Sequence, residues 1–349
     1  KPNGKTRPLG IPCIDDRIIQ QCIKQVLEPI CEAKFHKHSY GFRPNRSTEH
    51  AIARCMSLMN INKLHYVVDI DIKGFFDNVN HSKLKKQLWS LGIQDKNLIS
   101  VIGKILKSEI DGEGIPVKGT PQGGIISPLL SNVVLNELDW WISSQWESFE
   151  TRYKYKYSND RYRRLKESKL KEVYLVRYAD DFKIFCRDYK SAIKIYNAVK
   201  QWLKERLKLD ISDDKSKITN LRKNYSEFLG FKLKAKIKRN KYVCISHMSD
   251  KAKNKVINEI KKQIKIIKKN TTTKEIMKLN SIILGSHNYY KIATHVNLDF
   301  NDINFLVMRT LKNRLNLEKN RGSPIFTKTY LKLYGDYQKN ICRIKGINI

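Results

Sequence analysis

The sequence predicts an α+β fold, with short antiparallel strands bearing acids set among many helices. Three observations point there. Val173-Tyr174-Leu175-Val176-Arg177 and Phe182-Lys183-Ile184-Phe185 alternate on either side of Tyr178-Ala179-Asp180-Asp181, as two strands joined by a tight turn would. The stretch from His65 to Asp77 opens as a second strand, with Asp69 and Asp71 on one face and Val68, Ile70 and Ile72 on the other. Much of the rest recurs at three- and four-residue spacing, as amphipathic helices do.

The acids carry the first functional expectation. Two adjacent carboxylates at a hairpin tip suit two-metal phosphoryl transfer, which holds divalent ions roughly 3.5–4 Å apart around a phosphate. Mg²⁺ takes one or two carboxylates plus substrate oxygens, so a small Asp cluster suffices. Asp is also common in plain turns, and Asp69 and Asp71 could face water at a sheet edge. The second acidic strand is what tips the reading towards a metal site, because carboxylates held in a sheet are costly unless they meet cations or solvent.

The chain has 349 residues, with 68 Lys and Arg against 34 Asp and Glu, a formal net charge of +34. So large a positive charge opposes a compact state unless a polyanion offsets it. Nucleic acid is the expected partner, with salt-sensitive binding. No apolar run approaches the ~18 residues of a spanning helix, so a membrane partner is not expected. Of the seven cysteines none forms a C-x-x-C pair, which removes a zinc knuckle. Cys13, Cys22 and Cys31 recur every nine residues and read as small core residues. A reduced cytoplasmic protein is expected, bacterial or nucleoid-associated.

In chain order, Asn3-Gly4 marks a hairpin over residues 1–14. Asp15 or Asp16 would cap a helix whose apolar side includes Ile18, Ile19, Cys22, Ile23, Val26, Leu27 and Ile30. A loop over 39–46 leads to a helix over 47–60, then the acidic strand over 65–73. Helices follow over 81–90 and 95–107. Gly119 to Pro128 is a loop before a helix reaching about Trp146. Residues 150–172 mix Arg, Lys and Tyr, which suits either a solvated helix or base stacking with phosphate contact. A helix over 190–207, a turn at 213–217, a strand pair over 225–231 and a lysine-rich hairpin over 232–242 come next. Helices over 250–267, 273–292 and 301–316 make a small three-helix domain with a basic exterior. His36 and His38 lack nearby acid or Cys partners in sequence and read as surface residues.

Together and in this order, these pieces resemble the group II intron reverse transcriptase/maturase family. The resemblance rests on Ser39-Tyr40-Gly41-Phe42-Arg43-Pro44 with Arg46-Ser47, on Gly119-Thr120-Pro121-Gln122-Gly123-Gly124 with Ser127-Pro128-Leu129-Leu130, on Tyr178-Ala179-Asp180-Asp181, and on Gly285 with Asn288-Tyr289-Tyr290. It implies a right-hand polymerase: fingers over 1–64, a palm over 65–231 with interleaved fingers segments and a basic insertion at 150–172, a thumb over 232–320 and a tail over 321–349. Full-length members begin with an N-terminal extension that is missing or uncovered here. The chain opens at Lys1 like a fragment, and without an endonuclease pattern target-site cleavage is not expected.

The resemblance also implies roles. Asp71, Asp180 and Asp181 would hold two Mg²⁺ ions, for which Mn²⁺ can substitute. Asp71 is preferred to Asp69 because Phe76 follows five positions later, where an aromatic would lie under the incoming sugar and exclude a 2′-hydroxyl. Backbone amides of Ile72, Lys73, Gly74, Phe75 and Phe76 would cradle the triphosphate, with Lys1, Lys5 and Arg7 clamping it. Gln122 would face the nucleotide, and Lys215 or Lys217 would protonate pyrophosphate. Arg43, Arg46, Gly123, Tyr178, Leu229, Gly230, Asn288 and Tyr289 would meet template and primer. The implied partners are dNTPs, an RNA template with a DNA primer, intron RNA and target DNA, and a homodimer is compatible with the resemblance. The implied reaction is synthesis of DNA on RNA. The rivals are a splicing maturase with little polymerase activity, or a reverse transcriptase recruited to defence or diversification.

Overall fold

The computed structural model describes residues 10–110, 112, 114–121, 123–315, 341 and 344. Residues 1–9 of the expected hairpin, among them Lys1, Lys5 and Arg7, lie outside the described residues, as do Gln122 and the tail apart from Ile341 and Ile344. The chain divides into two compact units between Asn220 and Leu221.

The first unit holds α1 (Ile14–Glu32), α2 (Thr48–Asn60), β1 (Tyr66–Asp71), α3 (Phe75–Asn78), α4 (His81–Ser90), α5 (Lys96–Leu106), α6 (Ser127–Ser144), α7 (Ser158–Glu167), β2 (Val173–Tyr178), β3 (Asp181–Cys186), α8 (Tyr189–Trp202) with a π-helical turn (Leu203–Leu207), and β4 (Lys217–Asn220). The strands form one antiparallel sheet in the order β2-β3-β1-β4. Its apolar residues Val67, Val68, Ile70, Phe182, Ile184 and Phe185 are buried, with α2 and α6 against β2 and α8 against β1, β3 and β4. Each such side chain contributes about 1.5–3 kcal/mol on burial. Polar side chains start several helices: Ser47 and His50 form a reciprocal capping box on α2, and Asn80, Asp95 and Asp188 cap α4, α5 and α8.

The second unit holds β5 (Ser226–Phe228), β6 (Phe231–Lys238), β7 (Lys241–Met248), α9 (Asp250–Lys269), α10 (Thr273–Tyr290) and α11 (Val296–Leu315). The three strands are antiparallel in sequence order, and α10 and α11 pack on α9. Arg239 and Asn240, both left-handed, make the tight β6–β7 turn. α11 also packs on β7. β5 pairs with β6 and the Ala235 amide donates to the Leu221 carbonyl at 2.8 Å, so this unit includes residues from Leu221 on, where the thumb was expected from residue 232.

The α1 expectation needs correction. Cys13 occupies the N-cap without a side-chain bond, while Asp15 and Asp16 lie in the first turn, where the helix dipole still favours them. Of the expected apolar stripe only Leu27 is buried, together with Gln20 and Cys31. Cys13 and Cys22 are exposed. A nine-residue step turns a helix by two and a half turns, so Cys22 and Cys31 point opposite ways. β4 and the short α3 were not expected.

Candidate active site

Strand register builds the acidic centre. β1 and β3 run antiparallel with Asp71 opposite Asp181, and Ala179-Asp180 is the two-residue turn between Tyr178 and Asp181. All the sequence-predicted acids therefore share one end of the sheet. The Asp181 carboxyl is pushed up to about 6. Desolvation among neighbouring protein atoms is the largest cause, although one side of the residue stays open to solvent. The charges of Asp69, Asp180 and Asp71 add to it and Lys183 opposes it.

Asp69 and Asp71 share a face but differ in fate. Asp69 is opposite Lys183 in register and ion-paired with that buried lysine, and it meets the Thr219 hydroxyl at 3.5 Å. Asp71 is half-exposed, and Lys215 Nζ stands 3.6 Å from its carboxylate. The Asp71 amide donates to Ser216 Oγ and its carbonyl accepts from Ser212 N–H, which fixes the residue against the loop before β4.

Two glycine contacts fix the surroundings. A Cβ on Gly41 would stand 2.3 Å from the Ala179 nitrogen, so the 39–41 loop can lie on the acidic turn only with glycine there. Gly119, at φ +96°, would bring a Cβ within 3.0 Å of the Phe76 carbonyl, and Thr120 N–H bonds that same carbonyl at 2.7 Å. The Gly-rich loop is thus pinned to α3, and the Gln20 side chain accepts from Ile125 N–H at 2.8 Å. Phe75 is core, while Phe76 is partly exposed, with ring centroids 5.3 Å apart.

Sequence reasoning missed the brace behind the turn. Arg177 and Asp139 are fully buried and paired at 2.7 and 2.6 Å. Arg177 also donates to the Ala179 carbonyl at 2.8 Å and to Asn132 at 2.9 Å, and Asn132 donates to the Gly41 carbonyl at 2.8 Å. One network therefore holds both sides of the turn. Arg177 and Asp139 are 38 residues apart, and no sequence pattern joins them.

Several expected sites are placed differently. Arg43 is buried, bonded to Glu32 through Nε and Nη2 and to the His36 and Ser39 carbonyls through Nη1, so it is withdrawn as a template contact. The Lys73 amide donates to the Asp210 carbonyl and leaves the expected phosphate cradle. His36 and His38 are not surface residues: His36 is buried and burial lowers it to about 4, and His38 bonds Glu147 at 3.0 Å. Arg46 bonds the Lys37 carbonyl and lies over the Tyr40 ring, while Tyr178 lies beside Phe42. Ile72 is buried, and Gly74 and Gly123 are left-handed. In the second unit Leu229 and Gly230 form the β5–β6 turn, and exposed Asn288 and Tyr289 lie on α10, with the Tyr289 hydroxyl donating to the Leu229 carbonyl at 3.0 Å.

The donor set tests the expected metal. Among the described residues no group of three or more His, Cys, Asp or Glu side chains is arranged to hold an ion. The acids at the sheet end are all hard oxygen donors, and a cation would offset both the burial and the neighbouring charges that raise Asp181. Since Mg²⁺ takes one or two carboxylates plus substrate oxygens, the Asp71–Asp181 pair fits it.

The family Reverse transcriptase (RNA-dependent DNA polymerase) matches residues 1–233. The chain belongs to this reverse transcriptase family. Protein YkfC of Escherichia coli is 36% identical over 67% of this chain and 64% of its own length. Group II intron-encoded protein LtrA of Lactococcus lactis is 29% identical over 87% of this chain and 61% of its own length. The chain therefore spans less than two thirds of these relatives. Apo telomerase from Candida tropicalis aligns with a TM-score of 0.49 at 13% identity, covering 84% of this chain and 51% of its own, too remote to carry an argument. The resemblance to group II intron-encoded proteins read from the motifs is borne out, and reverse transcriptases use divalent metal ions. No helix among the described residues is long and apolar enough to cross a membrane.

Proposed function

We propose that this chain is an RNA-directed DNA polymerase of a group II intron that copies intron RNA into DNA for retrohoming and binds intron RNA to assist splicing. The observation that carries this is Asp71 opposite Asp181, with Asp180 in the adjoining turn, in a chain of the reverse transcriptase family. Two Mg²⁺ ions, or Mn²⁺ in their place, held by Asp71, Asp180 and Asp181 would activate the primer 3′-hydroxyl and neutralise charge on departing pyrophosphate.

The chain's own groups do the rest. Lys215 gives a proton to the leaving pyrophosphate, a role that its ammonium 3.6 Å from the Asp71 carboxylate supports. Lys1, Lys5, Arg7 and Gln122 bind the nucleotide with the amides of Ile72, Gly74, Phe75 and Phe76. The Phe76 ring excludes a 2′-hydroxyl. Arg46, Gly123 and Tyr178 meet the template, and Leu229, Gly230, Asn288 and Tyr289 the primer. The fingers over 1–64 and the palm up to residue 220 fall in the first unit, and the rest of the palm, over 221–231, falls with the thumb in the second. The excess of positive charge supports binding of intron RNA, template–primer and target DNA, in the cytoplasm.

Primer extension tests the proposal: a DNA primer on an RNA template, with Mg²⁺ and either dNTPs or NTPs. Extension with dNTPs only is expected. Tight RNA binding without extension would replace the polymerase by a maturase, and equal use of NTPs would remove Phe76 as the sugar gate.

A further inference from the structure

The segment between α6 and β2 differs from its surroundings. Residues 150–172 carry nine Lys or Arg, four Asp or Glu and four Tyr. One side of it is anchored. Arg161 donates to the Glu147 carbonyl at 2.5 Å, Tyr162 donates to the same carbonyl at 3.5 Å, and Leu165 is buried. Glu147 is itself held by Lys37, His38 and Arg54 at 3.0 to 3.3 Å. The segment is therefore fixed to the sheet unit rather than hung from it.

The other side faces water with the wrong chemistry for a plain solvated helix. Tyr153 and Tyr157 are 69% and 62% exposed. Tyr153 meets Tyr155 edge to face at 5.0 Å, and Lys156 lies 5.5 Å from the Tyr157 ring centre. With Arg163, Arg164 and Asp160 these residues line a shallow concavity. Exposed rings interleaved with cations offer flat faces for bases and positive charge for phosphates. Paired bases are already stacked on one another, so the rings suit an unpaired strand.

We propose that this face is a stacking platform for single-stranded RNA, with bases on Tyr153 and Tyr157 and phosphates on Lys156 and Arg163. It rests on the reading of the chain as an enzyme that works on RNA, and it adds a binding surface for the unpaired strand.

The test is fluorescence anisotropy of the full chain with a labelled oligouridine of roughly ten nucleotides, and with a blunt RNA duplex of similar length. Tyr153→Ala/Tyr157→Ala should weaken oligouridine binding about tenfold or more, and Tyr153→Phe/Tyr157→Phe should stay within about twofold of wild type. Lys156→Gln/Arg163→Gln, at exposed positions that do not hold the fold, should lower the salt slope by about 0.7 for each phosphate no longer neutralised. Duplex affinity should hold in the tyrosine variants. Oligouridine binding unchanged by the alanine and charge variants overturns the platform, as does a phenylalanine variant as weak as the alanine one. Primer extension run alongside separates the two readings. Tyrosine-dependent binding without extension sinks the polymerase and keeps the platform, and extension with tyrosine-independent binding does the reverse.

Discussion

Two hairpin turns, one in each unit, have the same length and opposite supports. Ala179-Asp180 joins β2 to β3 and Leu229-Gly230 joins β5 to β6. Each puts a non-glycine residue in left-handed backbone, Ala179 at φ +57° and Leu229 at φ +52°, at a cost of about 1–3 kcal/mol. The first turn presents acids and is braced by buried charge, through Arg177, Asp139 and Asn132. The second presents no charge and is braced by aromatic rings: Phe231 stacks on Tyr289 at 5.8 Å, and Tyr290 lies under Gly230. A turn that must hold repelling carboxylates needs a support that cannot slide. One that positions a strand by shape can use rings and a single hydroxyl.

The strongest way to break this contrast is Arg177→Met. It leaves Asp139 charged and alone in the core, which costs about 3–5 kcal/mol. A large drop in melting temperature with loss of primer extension is expected, and a variant as stable as wild type would show that the brace is dispensable. Gly41→Ala comes next. Overpacking of this kind costs about 1–3 kcal/mol, and since the new methyl meets the turn itself, extension should fall more than stability. Equal, small losses would mean the loop simply moves away.

Protonation sharpens the comparison further. Burial, with the charges of Asp69, Asp180 and Asp71 behind it, pushes the Asp181 carboxyl up to about 6 from the ordinary 3.8, so folding favours its neutral form. The acid turn therefore costs stability that is absent below about pH 4, grows as pH rises, and is fully present above about pH 6. Asp181→Asn should melt higher than wild type at pH 7 and equally at pH 4. The reverse order would show that neither burial nor neighbouring charge disfavours the ionised Asp181. The smallest effect is Tyr289→Phe, which removes the bond to the Leu229 carbonyl at a cost of about 1 kcal/mol. Primer affinity should weaken slightly with the rate at saturation unchanged.

The contrast also marks what was legible. Alternation around Tyr178 to Asp181 places β2 and β3, because period two and a two-residue turn fix their mutual register. The same alternation puts Asp69 and Asp71 on one face. It does not say that β1 pairs with β3 so that Lys183 takes Asp69 and leaves Asp71 opposite Asp181, since register between distant strands is set by packing. The resemblance put Arg43 on the template and primer, and only its burial beside Glu32 reveals its structural use. The apolar residues of α1 outnumber those it buries because its contact to the rest runs through Gln20, Leu27 and Cys31.

The most direct test is single-turnover primer extension with primer–template affinity measured on the same protein, for wild type and Asp180→Ala/Asp181→Ala. In the proposed function the acid turn acts on chemistry alone. The account therefore predicts a loss of rate on the order of a thousandfold or more, with affinity nearly intact. Equal loss of rate and affinity, or extension close to wild type, would contradict it.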